Sequence, residues 1–127
     1  MPGGKTFHQH TISFKHAFDG IFYTLKTQPN LRIHIFIALL VTLAGIYFHL
    51  NINQWLIILF TFMWVIVSEM VNTSIESVVD LITQEKHYQA KIAKDVAAGM
   101  VLVGTIGSVI VGLAIFLPLI LVKLQTN

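Results

Sequence analysis

The stretch that decides the fold is Trp55-Leu56-Ile57-Ile58-Leu59-Phe60-Thr61-Phe62-Met63-Trp64-Val65-Ile66-Val67, running directly into Ser68-Glu69-Met70-Val71-Asn72-Thr73-Ser74-Ile75-Glu76-Ser77-Val78-Val79-Asp80. The first half carries no charge and is apolar enough to enter a bilayer. In the second half Glu69, Asn72, Glu76 and Asp80 stand at offsets of 0, 3, 7 and 11. At about 100° per residue these offsets fall within an arc of roughly 80°. One helix therefore presents three carboxylates and an amide as a single polar stripe. Ionisable groups at membrane depth are costly, so such a row marks a functional site.

Composition agrees with a bilayer as the solvent. The 127 residues are 55% hydrophobic and 11% charged, with a mean hydropathy of +0.76, whereas about a quarter of residues are charged in ordinary globular domains. One membrane domain spanning residues 1–127 is expected. The absence of cysteine excludes disulfides and thiolate chemistry. A net charge of +2 on scattered basic residues gives no support to nucleic-acid binding. The first 30 residues lack a signal-peptide apolar core, being interrupted by Lys15, Asp19 and Lys26.

Outward from the stripe, the pattern predicts an all-α integral membrane protein. Residues 1–10 read as a disordered leader. Across 11–27, Phe14, Phe18, Ile21, Phe22 and Leu25 recur at three- and four-residue spacing with Lys15, Asp19 and Lys26 largely off the stripe, which predicts an amphipathic surface helix. Pro29 ends it. Residues 31–50 form the first expected span, 54–82 the second and 97–122 the third, with a polar loop or frayed helix end at 83–90. Each span is long enough for a hydrocarbon core of about 30 Å. Tyr47 and Trp55 flank the turn between the first two spans as interfacial anchors, and Trp64 is expected to serve packing. Gly104, Ser108 and Gly112, at four-residue spacing, predict a face of the third span that packs on another helix.

Three spans place Lys5, Lys15, Lys26, Arg32, Lys86, Lys91 and Lys94 on one side and only Lys123 on the other. The excess of basic residues then assigns the N-terminus and the carboxylate stripe to the cytoplasmic side of the inner (plasma) membrane, and the C-terminus to the outside. Lys94-Asp95 opens the third span at the level of the stripe. Carboxylates to hold a metal ion, a lysine for phosphate charge and a base near an attacking hydroxyl are the requirements of phosphoryl transfer. A proton or cation conduit would use the same carboxylates but would need polar groups in the other half of the membrane, where the second span offers only Thr61.

Glu69-x-x-Asn72-Thr73-x-Ile75-Glu76-x-x-Val79-Asp80, followed by Ala93-Lys94-Asp95-x-Ala97-Ala98-Gly99, resembles the signature of the small prokaryotic diacylglycerol kinase and undecaprenol kinase family. The resemblance covers residues 12 to 117, including the amphipathic leader and the three spans. It implies a homotrimer that uses Mg²⁺ and ATP, without a phosphate-binding loop, to phosphorylate a membrane lipid alcohol. Undecaprenol is the favoured acceptor, because Asn30-Leu31-Arg32-Ile33-His34 is closer to that branch, and diacylglycerol is second.

Carried over by position, Glu69 would be the catalytic base and Glu76 a metal ligand at the ATP phosphates. Lys94 would pair with phosphate, with Asp95, Glu85, Lys86 and His87 elsewhere on the nucleotide. Asn72 and Asp80 would support the site. Lys15 and His16 would reach the nucleotide, while Ser13, Phe14, Phe18, Asn30, Arg32, His34 and Ala98 would contact the lipid. The chain departs from the family at Gln28, where the family usually has a glutamate that is the second metal ligand. A glutamine carbonyl can coordinate, but it is neutral and weaker. This departure leaves a catalytically silent scaffold as a further alternative.

Overall fold

Local sequence signals explain the helix boundaries in the computed structural model, which describes residues 7–126, with side chains from Ser13 onward. The helices are α1 (Phe7–Thr27), α2 (Pro29–Tyr47), α3 (Ile52–Ile82) and α4 (Tyr88–Gln125), and no strand occurs among the described residues. Three of them, α2, α3 and α4, are long and apolar enough to cross a membrane. The protein is thus an all-α integral membrane protein with an N-terminal helix ahead of three spans.

The α1–α2 junction follows from Pro29, which sits in the first turn of α2, where its missing N–H costs no helix bond. Gln28 is held extended there. At the other end of α2 the chain closes in a left-handed cap. The His49 N–H donates to the Ile46 carbonyl and the Leu50 N–H to the Gly45 carbonyl, while His49 itself takes φ 53°. Glycine is the usual residue for that conformation. Beside this turn the Trp55 indole lies against Gly45, so close that a Cβ there would come within 2.6 Å of the ring. Asn51 then starts α3 with a reciprocal cap: its side chain accepts from the Gln54 N–H, and the Gln54 side chain accepts from the Asn51 N–H.

Several boundaries differ from the hydropathy pattern. Helix α1 starts at Phe7 rather than residue 11, so residues 7–10 are helical; residues 1–6 of the expected leader lie outside the described residues. No proline interrupts the sequence from Phe7 to Thr27. Helix α4 starts at Tyr88, capped by the His87 side chain, which accepts from the Gln89 N–H. The reason is that Lys91, Lys94 and Asp95 end an apolar run but are compatible with helical backbone, so hydropathy marks where the membrane begins and not where the helix begins. The 31 residues of α3 and 38 of α4 extend about 46 and 57 Å, and both project beyond the hydrocarbon layer.

Helices α3 and α4 form the main packed pair, with α2 against α3, and α1 touching α2 and α3. Gly104 of α4 is buried against Trp64 and Ser68 of α3, so one member of the small-residue face brings these two helices together. The interior mixes apolar Leu31, Leu50, Val65, Ala97 and Ile115 with polar groups that a soluble protein would expose. Thr24, Ser68, Glu69, Asn72 and Thr73 are buried, while Phe60 is 73% and Val103 70% exposed. That inversion suits a chain whose surroundings are hydrocarbon.

Candidate active site

The polar interior lies at the end of α3 nearest α1. Within α3 each hydroxyl is satisfied by its own helix: Ser68 Oγ donates to the Val65 carbonyl at 2.8 Å, Thr73 Oγ1 to the Glu69 carbonyl at 2.8 Å and Ser77 Oγ to the Thr73 carbonyl at 2.9 Å. None is left to serve the carboxylates. Asn72 Nδ2 donates to Glu76 Oε1 at 3.2 Å, which fixes Glu76 on the same face. Glu69 is the largest fully buried side chain, 1% exposed. Its Oε1 and Asn72 Oδ1 are buried without a hydrogen-bond partner. Unpaired buried acceptors are costly, and they persist where a ligand or a reaction uses them.

These groups face a groove of about 440 Å³ between α2, α3 and α4, lined by Gln28, Asn30, Ile33, His34, Glu69, Asn72, Glu76, Ala98, Val101, Leu102 and Thr105. His34 Nε2 comes within 3.6 Å of Glu69 Oε1. A second hollow of about 570 Å³ lies at the α3–α4 loop, where Asp80, Glu85, Lys86, His87, Lys94 and Asp95 are gathered. There Lys94 pairs with Asp80 and Lys91 with Asp95. The first hollow is mixed polar and apolar. The second combines both signs of charge at the exposed end.

The expected site thus divides in two. Gln28, Asn30, His34, Glu69, Asn72, Glu76 and Ala98 share the groove; Asp80, Glu85, Lys86, His87, Lys94 and Asp95 share the loop hollow. The three carboxylates of the stripe do not share one space: Asp80, one turn beyond Glu76, is taken by Lys94. Nor does Lys94-Asp95 open a helix, since both sit in the second turn of α4. Ser13, Phe14, Lys15, His16 and Phe18 are exposed on α1 and line neither hollow, because α1 packs through its C-terminal part, around buried Thr24. Arg32 is exposed too. It stands two residues from both Asn30 and His34, on the opposite side of α2. Among the described residues no three His, Cys, Asp or Glu side chains converge as a metal cluster. Thr105, Val101 and Leu102 complete the groove without having been singled out, although their spacing from Ala98 puts them on one face of α4.

Comparison with known proteins gives this arrangement a family. Residues 15–116 match the prokaryotic diacylglycerol kinase family. The chain belongs to that family. It is 44% identical over 108 residues to a diacylglycerol kinase from Synechocystis sp., a match spanning 84% of this chain and 62% of that protein. It is also 44% identical over 106 residues to an undecaprenol kinase from Bacillus subtilis, spanning 84% of this chain and 86% of that one. The chain therefore spans less than two thirds of the first relative and most of the second. The two names share one chemistry, phosphorylation of a lipid hydroxyl, and differ in the lipid.

Proposed function

We propose that the protein is an ATP-dependent kinase of a membrane lipid alcohol, with undecaprenol the favoured acceptor and diacylglycerol the second. The observation that carries this reading is Glu69: a buried carboxylate with an unpartnered oxygen, set at the wall of a groove that an amphiphile's headgroup can occupy. In that position Glu69 accepts the proton of the lipid hydroxyl as the oxygen attacks the γ-phosphorus. The charged hollow, which begins at Asp80 about 16 Å further along α3, receives the nucleotide. Lys94 exchanges Asp80 for phosphate, and Glu85, Lys86, His87 and Asp95 contact the rest. Asn30, His34 and Ala98 border the acceptor, and the likeness of Asn30-Leu31-Arg32-Ile33-His34 to the undecaprenol kinase branch favours undecaprenol.

Magnesium fits the donors present. Glu76 and the Gln28 carbonyl line the same groove, and the unpartnered Asn72 Oδ1 beside them leaves oxygen valence to spare, which is the hard-donor chemistry this ion takes. Glu76 and Gln28 would hold it, and its charge would offset that of the phosphate oxygens. Asn72 keeps Glu76 in place through their hydrogen bond. The exposure of Ser13, Phe14, Lys15, His16 and Phe18 on α1, away from both hollows of their own subunit, supports a homotrimer in which α1 of one subunit completes the site of its neighbour. The basic excess at the site end supports placement in the inner membrane with that end cytoplasmic.

A conduit is disfavoured by the cavity beyond His34, about 100 Å³, whose lining past the imidazole is apolar but for the hydroxyls of Thr61 and Ser108 and holds no carboxylate. The test is to incubate purified protein in detergent with γ-labelled ATP, Mg²⁺ and either undecaprenol or diacylglycerol. Label entering a lipid, undecaprenol first, is the expected result. Folded protein that labels neither lipid would overturn the reading and favour the silent scaffold that Gln28 suggests.

A further inference from the structure

Glu69 has one titratable neighbour from another helix. His34 of α2 directs Nε2 to within 3.6 Å of its Oε1, the same oxygen that is buried without a hydrogen bond. That separation is about 0.4 Å beyond the long end of an N–H···O bond, and catalytic contacts of this kind tighten when substrate binds. The two side chains differ in access: the carboxylate is 2% exposed and the imidazole 15%. His34 also lies where the polar groove gives way to the apolar cavity, bordering both. Of the groups facing this pair, α3 supplies only Glu69 and Glu76 as titratable residues, while Ala98, Val101, Leu102 and Thr105 of α4 supply none. A proton arriving on Glu69 therefore has one imidazole beside it, and that imidazole is the more open to the groove.

We infer that His34 is a positioning residue for Glu69 that also relieves it of its proton, restoring the carboxylate for the next turnover. The inference rests on the proposed role of Glu69 as base. As the lipid O–H bond breaks, its oxygen forms a bond to the γ-phosphorus and the bond from that phosphorus to the bridging oxygen breaks, its electron pair leaving on ADP. The hydroxyl proton passes to Glu69, then to His34 Nε2, and from there to water in the groove. An imidazole changes protonation near neutral pH, so it can accept from a carboxylic acid and donate to water in one cycle. Glu69, at 2% exposure, is less open to that water than His34 at 15%, so the imidazole is the shorter way out for the proton.

The test compares His34→Ala, His34→Gln and Glu69→Gln in the labelled-ATP assay, with an unfolding midpoint measured for each. His34→Ala should lower kcat about 10- to 100-fold with KM for ATP within about twofold of wild type, and added imidazole should restore part of the rate. That rescue should grow with pH as the neutral fraction of the added imidazole rises. His34→Gln keeps a side chain able to orient Glu69 but unable to take a proton, so it should be as slow as His34→Ala. It also keeps the test informative if the alanine variant does not fold. A fully active His34→Gln, or a slow, folded His34→Ala that imidazole leaves unchanged, would overturn the inference. An active Glu69→Gln would instead remove the base reading on which it stands, and an inactive Glu69→Gln beside fully active His34 variants would remove the inference alone.

Discussion

The two halves of α3 make opposite use of the same helix. From Trp55 to Val67 only Val65 is buried, and Leu56, Leu59, Phe60 and Met63 are all more than half exposed. From Ser68 to Thr73 the buried residues are Ser68, Glu69, Asn72 and Thr73, every one polar. In water this pattern would be upside down. In hydrocarbon the first half needs no partner, because lipid solvates it as well as protein does, whereas the second half must turn its polar groups inward. In this half of α3 burial therefore follows polarity, and its buried Glu69 and Asn72 line the groove. The turn end has a different logic: Gly45, Trp55, the left-handed cap and the Asn51–Gln54 cap join α2 to α3 and carry no chemistry. There Lys123 stacks over the Tyr47 ring at 3.9 Å, linking α4 to the end of α2, whose backbones do not otherwise approach.

Substitutions at the two ends should separate function from stability. Glu69→Gln carries the largest effect: a loss of about 10²- to 10⁴-fold in kcat with KM for ATP nearly unchanged, measured by label transfer. At the turn end, Gly45→Ala would drive a Cβ to 2.6 Å from the Trp55 ring. It should lower stability by about 1–3 kcal/mol in a detergent unfolding titration, while kcat per folded molecule stays the same. A changed kcat would mean the two ends are coupled. Gln28→Glu places a carboxylate in the groove that Glu76 also lines and should lower the Mg²⁺ concentration for half-maximal rate about tenfold; an unchanged requirement would take Gln28 out of the proposed metal site. The smallest effect belongs to His49→Gly, which removes a side chain from a residue at φ 53° and should stabilise the protein by about 1 kcal/mol, read as a raised unfolding midpoint.

Sequence periodicity revealed most of the fold because a membrane span announces itself by length and composition, and a polar stripe by its three- and four-residue spacing. The stripe from Glu69 to Glu76 and the motif around Lys94 could be read without coordinates for that reason. What covers a stripe cannot be read from the helix that bears it. His34 stands 35 positions before Glu69, and only the α2–α3 packing brings them together. The division of the carboxylates has the same origin, since Asp80 belongs with Lys94 through the packing of α3 on α4. The early start of α4 was hidden because its first turns are polar and project beyond the membrane, where hydropathy no longer marks a helix.

The most direct test of the central claim, that the polar interior is the reacting site and the turn end only its support, measures label transfer and unfolding on the same samples of Glu69→Gln and Gly45→Ala. Glu69→Gln should unfold like the wild type and transfer almost no phosphate, whereas Gly45→Ala should unfold earlier and transfer at the wild-type rate per folded molecule. Wild-type transfer by folded Glu69→Gln would contradict that claim.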